Sequence, residues 1–83
     1  LDIRVAPSAF TGNSLDVVVE VPFSDAYQYT IQDQTGRICL QNRLWLSAGE
    51  QHLNIHVDLP AGVYVLHLTG GKGSSGIARV IRL

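Results

Sequence analysis

Eighty-three residues with 46% hydrophobic content suit one modest folded core and exclude a disordered chain. Six Lys and Arg against seven Asp and Glu leave a formal net charge of -1, which excludes a broad basic field for nucleic acid or acidic lipid. No apolar run approaches the roughly 18 residues of a membrane-spanning helix, and Cys39 is alone, so no intramolecular disulfide can form. The chain has no methionine and opens on Leu1 in strand-like sequence. It is therefore expected to be a single domain, residues 1–83, excised or processed from the C-terminal end of a longer protein, with any signal peptide upstream.

In chain order, Leu1, Ile3 and Val5 alternate with Asp2 and Arg4, predicting a first strand that Pro7 ends. Ser8 to Ser14, with Gly12-Asn13 inside, reads as a connection. Leu15, Val17, Val19 and Val21 form the inward row of a second strand, which Pro22 closes. After the turn signal Ser24-Asp25, Tyr27, Tyr29 and Ile31 alternate with Gln28, Thr30 and Gln32 in a third strand. Asp33-Gln34-Thr35-Gly36 then joins it to a fourth as a bulged hairpin, with Asp bonding its own turn and Gly in the left-handed region.

The fourth strand runs from Arg37 to about Leu46, with Ile38, Leu40, Leu44 and Leu46 on one parity. Asn42 interrupts that row, so a bend or bulge is expected there. Ser47-Ala48-Gly49-Glu50 is a turn. Leu53, Ile55, Val57 and Leu59 alternate with His52, Asn54, His56 and Asp58, and Pro60 stops this fifth strand. Beyond Gly62 the alternation resumes with Tyr64, Leu66 and Leu68, so Leu53–Leu68 reads as the hairpin on which the core is built. Gly70 to Gly76 reads as a mobile hairpin loop, and Ile77 to Leu83 as the last strand. Seven strands without helical periodicity predict an all-β, two-sheet antiparallel sandwich.

Chemistry is hard to find in this pattern. Lys72 in the glycine-rich loop is followed by Gly73 and then a strand, whereas a phosphate cradle needs Gly-Lys-Ser/Thr opening a helix. His52 and His56 share a strand face but stand about 13 Å apart, too far for one zinc with ligands at ~2 Å. Only His67, if it lay on a neighbouring strand, would make a two-histidine site; solvated histidines are the simpler reading. No serine has a visible base, and Cys39 has no predictable cationic neighbour to activate it. The aspartates are too dispersed for calcium. No catalytic residue, metal or cofactor is therefore expected. Trp45 has the parity opposite Leu44 and Leu46. Two readings stand for it: an exposed ring for stacking on sugar or a partner, or packing on the strand's second face.

Three motifs occur in order over Tyr27 to Leu83. Tyr29-Thr-Ile-Gln-Asp33-Gln-Thr-Gly36-Arg37 is a strand running into an Asp-x-x-Gly-Arg hairpin. Leu59-Pro-Ala-Gly62-Val-Tyr64 is a Leu-x-x-Gly-x-Tyr turn and strand. Arg79-Val80-Ile81-Arg82-Leu83 is a basic, apolar final strand. Together they resemble the type A C-terminal sorting domain of the Bacteroidetes type IX secretion system. The first third departs, since Val5-Ala6-Pro7-Ser8-Ala9-Phe10 keeps one proline of the family's Tyr-Pro-Asn-Pro.

The resemblance implies a seven-stranded immunoglobulin-like sandwich and a non-enzymatic address label. The label would be read by the outer-membrane machinery on the way from periplasm to cell surface. In the family a sortase-like protease usually removes it and the cargo is joined to anionic lipopolysaccharide. Some members instead keep the domain as apparatus components that hold lipopolysaccharide or a partner. On this reading Arg79 to Leu83 present the signal as a strand with a free hydrogen-bonding edge, Arg79 and Arg82 facing opposite ways. Asp33, Gly36, Arg37, Leu59, Gly62 and Tyr64 fix the scaffold. The other reading is an accessory glycan-binding or adhesion module using Trp45, His52 and His56.

Overall fold

A computed structural model describes residues 3–6 and 8–83, with Ser8 described by its backbone only. Leu1, Asp2 and Pro7 of the expected first strand and its stop lie outside the described residues. The fold is all-β, with eight strands: β1 (Arg4–Val5), β2 (Ser8–Phe10), β3 (Ser14–Val21), β4 (Asp25–Gln32), β5 (Ile38–Leu46), β6 (Gly49–His56), β7 (Gly62–Gly70) and β8 (Ser75–Arg82). One sheet has the order β1-β3-β6 and the other β2-β8-β7-β4-β5.

Alternation decides which side chains go inward. Leu15, Val17, Val19 and Val21 of β3 are buried while Asp16, Val18 and Glu20 face water, and β6 repeats the pattern with Leu53 and Ile55. The facing sheet supplies Tyr27, Tyr29, Ile31, Tyr64, Leu66, Leu68 and Val80, and both rows join one continuous core. Removing such alternating apolar area from water is the main stabilising term.

The structure corrects the expected count and pairing. Part of the predicted Ser8–Ser14 connection is β2, three residues that pair in parallel with β8. Among the described residues there are eight strands, not seven, and one pair is parallel. Three residues carry too little alternation to be seen in sequence, and their backbone groups find partners along β8 and at Leu83.

Leu53–Leu68 is not a hairpin. β6 pairs with β3 and β7 with β4 and β8, so residues 57–61 carry the chain from one sheet to the other. The strand also starts earlier than expected, at Gly49, and ends at His56, although Val57 stays buried. The true hairpins are β4–β5 and β7–β8.

Two of the crossings from the three-stranded sheet into the five-stranded one, β3 to β4 and β6 to β7, are clamped by a tyrosine. The Tyr64 hydroxyl donates to the Pro60 carbonyl at 2.7 Å, and Tyr27 donates to the Phe23 carbonyl at 2.6 Å. Both span four residues at the start of a strand, the geometry of a tyrosine corner. Tyr64→Phe is expected to lower stability by about 1 kcal/mol, a Tm fall of roughly 4–8 °C, in a thermal melt. An unchanged Tm would deny the corner its role.

The expected bulge is real but displaced. Asn42 stays in register opposite Tyr29, whereas the shift falls after Ile31, so that Leu40 opposes Ile31 and Ile38 opposes Gln32. The extra residue is Cys39. This shift turns Ile38 to the outer face, where it is 51% exposed, and leaves the Cys39 thiol at the surface. The Asn42 side chain turns to its own strand instead, and its Oδ1 accepts the Arg43 amide at 2.8 Å. Because β5 ends its sheet, that bond occupies a backbone donor on a sheet edge.

The Gly70–Gly76 loop is better held than its composition suggested. Gly70 N donates to the Ser74 carbonyl at 2.8 Å, and Lys72 N donates to Asp25 Oδ2 at 3.0 Å. The Lys72 ammonium also stands 5.0 Å from the centre of the Phe23 ring.

Candidate recognition strand

β8 alternates strictly. Ala78 and Val80 are buried, while Ile77, Arg79 and Ile81 face outward from the five-stranded sheet. Of the two arginines, Arg79 is therefore the exposed one. Arg82 turns the other way, with its guanidinium 6.0 Å from the centre of the Phe10 ring and its Nη1 donating to the Leu83 carbonyl. Val80 is the residue that locks the strand to the core, and Ile81 is not.

The strand is not a free edge. β7 flanks it along Ser75–Arg82, β2 covers Val80 to Arg82 on the other side, and Ile3 N donates to the Ser75 carbonyl at 2.9 Å. Leu83 N donates in turn to the Phe10 carbonyl at 2.9 Å. The expectation of open edge groups over Arg79–Leu83 is corrected by this lead-in segment, which sequence alone did not place. Among the described residues the five-stranded sheet ends instead at β2 and β5.

The motif residues make local contacts in turns and at strand starts. Asp33 Oδ1 accepts the Thr35 amide at 2.9 Å, the Thr35 hydroxyl at 2.6 Å and the Arg37 amide at 3.0 Å. Gly36 sits at φ +86°, and its amide donates to the Asp33 carbonyl at 3.1 Å. Leu59 packs half-buried against the core, and Gly62 lies opposite Arg82 across the β7–β8 ladder, two residues before the corner Tyr64.

Asp33 also carries a pH dependence. The Thr35 hydroxyl is the largest influence on its carboxyl; desolvation opposes it, and the Arg37 and Thr35 amides with the Arg37 charge tip the balance, so the carboxyl is held below its ordinary value. A depressed carboxyl stabilises the fold fully above its unfolded value and loses that contribution as pH falls through the folded one. Asp33→Ala is expected to flatten the fall in Tm below about pH 4 relative to the unaltered chain. Parallel acid titrations of the two Tm values check this; superimposable curves would contradict it.

The other candidates do not converge. Trp45 is 66% exposed on β5, opposite Ala26 and next to a shallow depression lined by Gln28, Arg43 and Thr69. His52 and His56 lie on the outer face of the three-stranded sheet and His67 on that of the five-stranded sheet, which rules out the two-histidine site and separates His52 and His56 from Trp45. Among the described residues no cluster of three metal-ligating side chains occurs, and no helix is long and apolar enough to cross a membrane. Tyr27 is the functional-looking residue that sequence reading missed. Its signal was a proline followed, five residues later, by a tyrosine opening an alternating run, much as Pro60 precedes Tyr64.

This arrangement is a strand with an outward row on a braced scaffold. The family model for the secretion system C-terminal sorting domain matches residues 13–82. The chain belongs to that family, the C-terminal sorting domains of type IX secretion. No curated protein matches it significantly. As a sorting domain it is an export signal, and its working relationship is with the type IX machinery.

Proposed function

We propose that the sorting domain is a non-catalytic label at the end of a longer exported protein, read by the outer-membrane type IX machinery and delivering its cargo through the periplasm to the cell surface. The observation that carries this is the division of labour within β8. Val80 and Ala78 hold the strand in the core while Arg79 and Ile81 stand clear of it. A charge among exposed isoleucines keeps a solvent-facing row soluble, and the same mixture of apolar and cationic side chains suits a surface that another protein reads. The placement of β1-β3-β6 against β8-β7-β4, with a tyrosine corner opening β7, supports the immunoglobulin-like comparison.

Removal of the label by a sortase-like protease and joining of the cargo to anionic lipopolysaccharide complete the proposal. The test is a periplasmic reporter fused to the 83 residues in a type IX-competent cell, with Arg79–Leu83 present or deleted, and folding followed separately. Export with the intact chain and its loss on deletion are expected. Mass spectrometry of the surface-borne cargo would then find the 83 residues missing, whereas their persistence would indicate a retained apparatus component.

One observation favours a second reading. An exposed Trp45 beside Gln28, Arg43 and Thr69 is a platform of the kind that stacks on a pyranose ring. A glycan-binding accessory module would show glycan binding that Trp45→Ala abolishes.

A further inference from the structure

We infer that the docking surface of this domain is the outer face of the five-stranded sheet as a whole, and that it fits a protein surface on which apolar side chains and carboxylates are interspersed. The inference rests on the sorting reading and names the chemistry of the partner that reading requires.

The strand registers lay the face out. Arg43, Gln28 and Thr69 align across β5, β4 and β7; next come Thr30, His67 and Ile77; then Ile38, Gln32, Val65 and Arg79; and last Val63 with Ile81. Ile77 and Ile81, 65% and 36% exposed, flank Arg79 along β8, and Ile38, 51% exposed, stands across the face on β5. Arg79 stands within the β8 row and Arg43 across the face on β5. Neither guanidinium has a hydrogen-bond or ion-pair partner among the described residues.

No described carboxylate lies on this face. Asp25 and Asp33 are tied into the turns at its ends, Asp58 lies in the crossing between β6 and β7, and Asp16, Glu20 and Glu50 face outward from the other sheet, with Arg4 opposite Glu20. The segregation is not a consequence of composition, since the formal net charge is only -1. A cationic, apolar face backed by an acidic one orients the domain in the field of an acidic partner and disfavours the reversed approach.

Other occupants fit less well. Two arginines are too few to hold a domain on anionic lipid without a second anchor, or to grip a phosphate backbone. A second copy stacked through its acidic face would bring His52, Asn54 and Glu50 against the isoleucines, with only Val18 there to meet them.

The test uses the reporter fusion, with Arg43→Glu/Arg79→Glu on the proposed face and Glu20→Lys/Glu50→Lys on the opposite one. Thermal melts of the purified chains confirm folding. The first pair is expected to lower the secreted fraction at least tenfold, Arg43→Lys/Arg79→Lys to restore most of it, and the opposite-face pair to leave it unchanged. Equal losses from both faces, or normal secretion of the folded Arg→Glu pair, would overturn the inference while leaving the sorting reading in place. Failure of the unaltered fusion to leave the cell would instead overturn that reading. Binding of the chain to vesicles with one-third anionic lipid, lost in the Arg→Glu pair, or a salt-sensitive rise in its own sedimentation mass, would replace the protein partner with lipid or with a second copy.

Discussion

Val80→Asp is expected to leave no cooperative thermal transition at 25 °C, whereas Ile81→Asp, one residue further on, leaves the domain folded. Val80 is fully buried between the sheets, and Ile81 is 36% exposed on the outer face. A domain of this size has roughly 4–12 kcal/mol of stability in total, at about 0.05–0.15 kcal/mol per residue. An unpaired carboxylate at Val80 costs several kcal/mol, enough to consume most of that. At Ile81 the same carboxylate stays in water, and the loss is about 1 kcal/mol. Circular dichroism melts of the two variants check the contrast, and similar melting of both would deny the alternation of β8. The contrast also separates folding from recognition: Ile81→Asp alters the presented row without removing the strand.

Gly76→Val is the second large effect. A Cβ at Gly76 would stand 2.4 Å from the Ile3 carbonyl oxygen and 2.9 Å from the Ile3 Cβ. Backbone cannot rotate away as a long side chain can, so the lead-in segment or β8 must move. The bond from Ile3 N to the Ser75 carbonyl is then lost, because it holds the two segments together at this crossing. The cost is expected at about 3 kcal/mol, the upper end for overpacking, with a Tm fall on the order of 15 °C. Gly73→Ala tests the alternative that any substitution in the glycine-rich loop does the same. Nothing lies within 4 Å of a Cβ there, so only the strain of its φ of +89° remains, a smaller loss expected at about 1 kcal/mol. Equal Tm values for the two variants would contradict the close approach.

What the sequence revealed and what it hid follow from the range of each interaction. The inward rows of β3, β4, β6 and β7 were legible because side-chain alternation is local. So was the Asp33–Arg37 hairpin, whose hydrogen bonds lie within five residues. Alternation names a face but not a partner, and Leu53–Leu68 shows the consequence. Its pattern suits a hairpin and a crossing between sheets equally, and only the pairing of Leu53 with Val17 and of Leu66 with Ile31 decides between them. The same gap hid β2 and made β8 look like an edge.

The bulge shows the limit from another side. Asn42 looked like the break because it is polar on an apolar row, yet a polar side chain can turn to its own strand edge and stay in register. Nothing in Ile38-Cys39-Leu40 marks the extra residue. Of the recognition strand, the opposite facing of Arg79 and Arg82 was readable from their spacing. Which one faces water, and which companions it has on β5 and β7, required the register of five strands.

The central claim, that these residues are by themselves a type IX export signal, is tested most directly by one measurement. The secreted fraction of a periplasmic reporter carrying the unaltered 83 residues is compared between a type IX-competent cell and its isogenic counterpart lacking the outer-membrane machinery. Our account predicts reporter in the medium or on the surface of the first and retention in the periplasm of the second. A folded fusion that stays periplasmic in both, or leaves both equally, would contradict it.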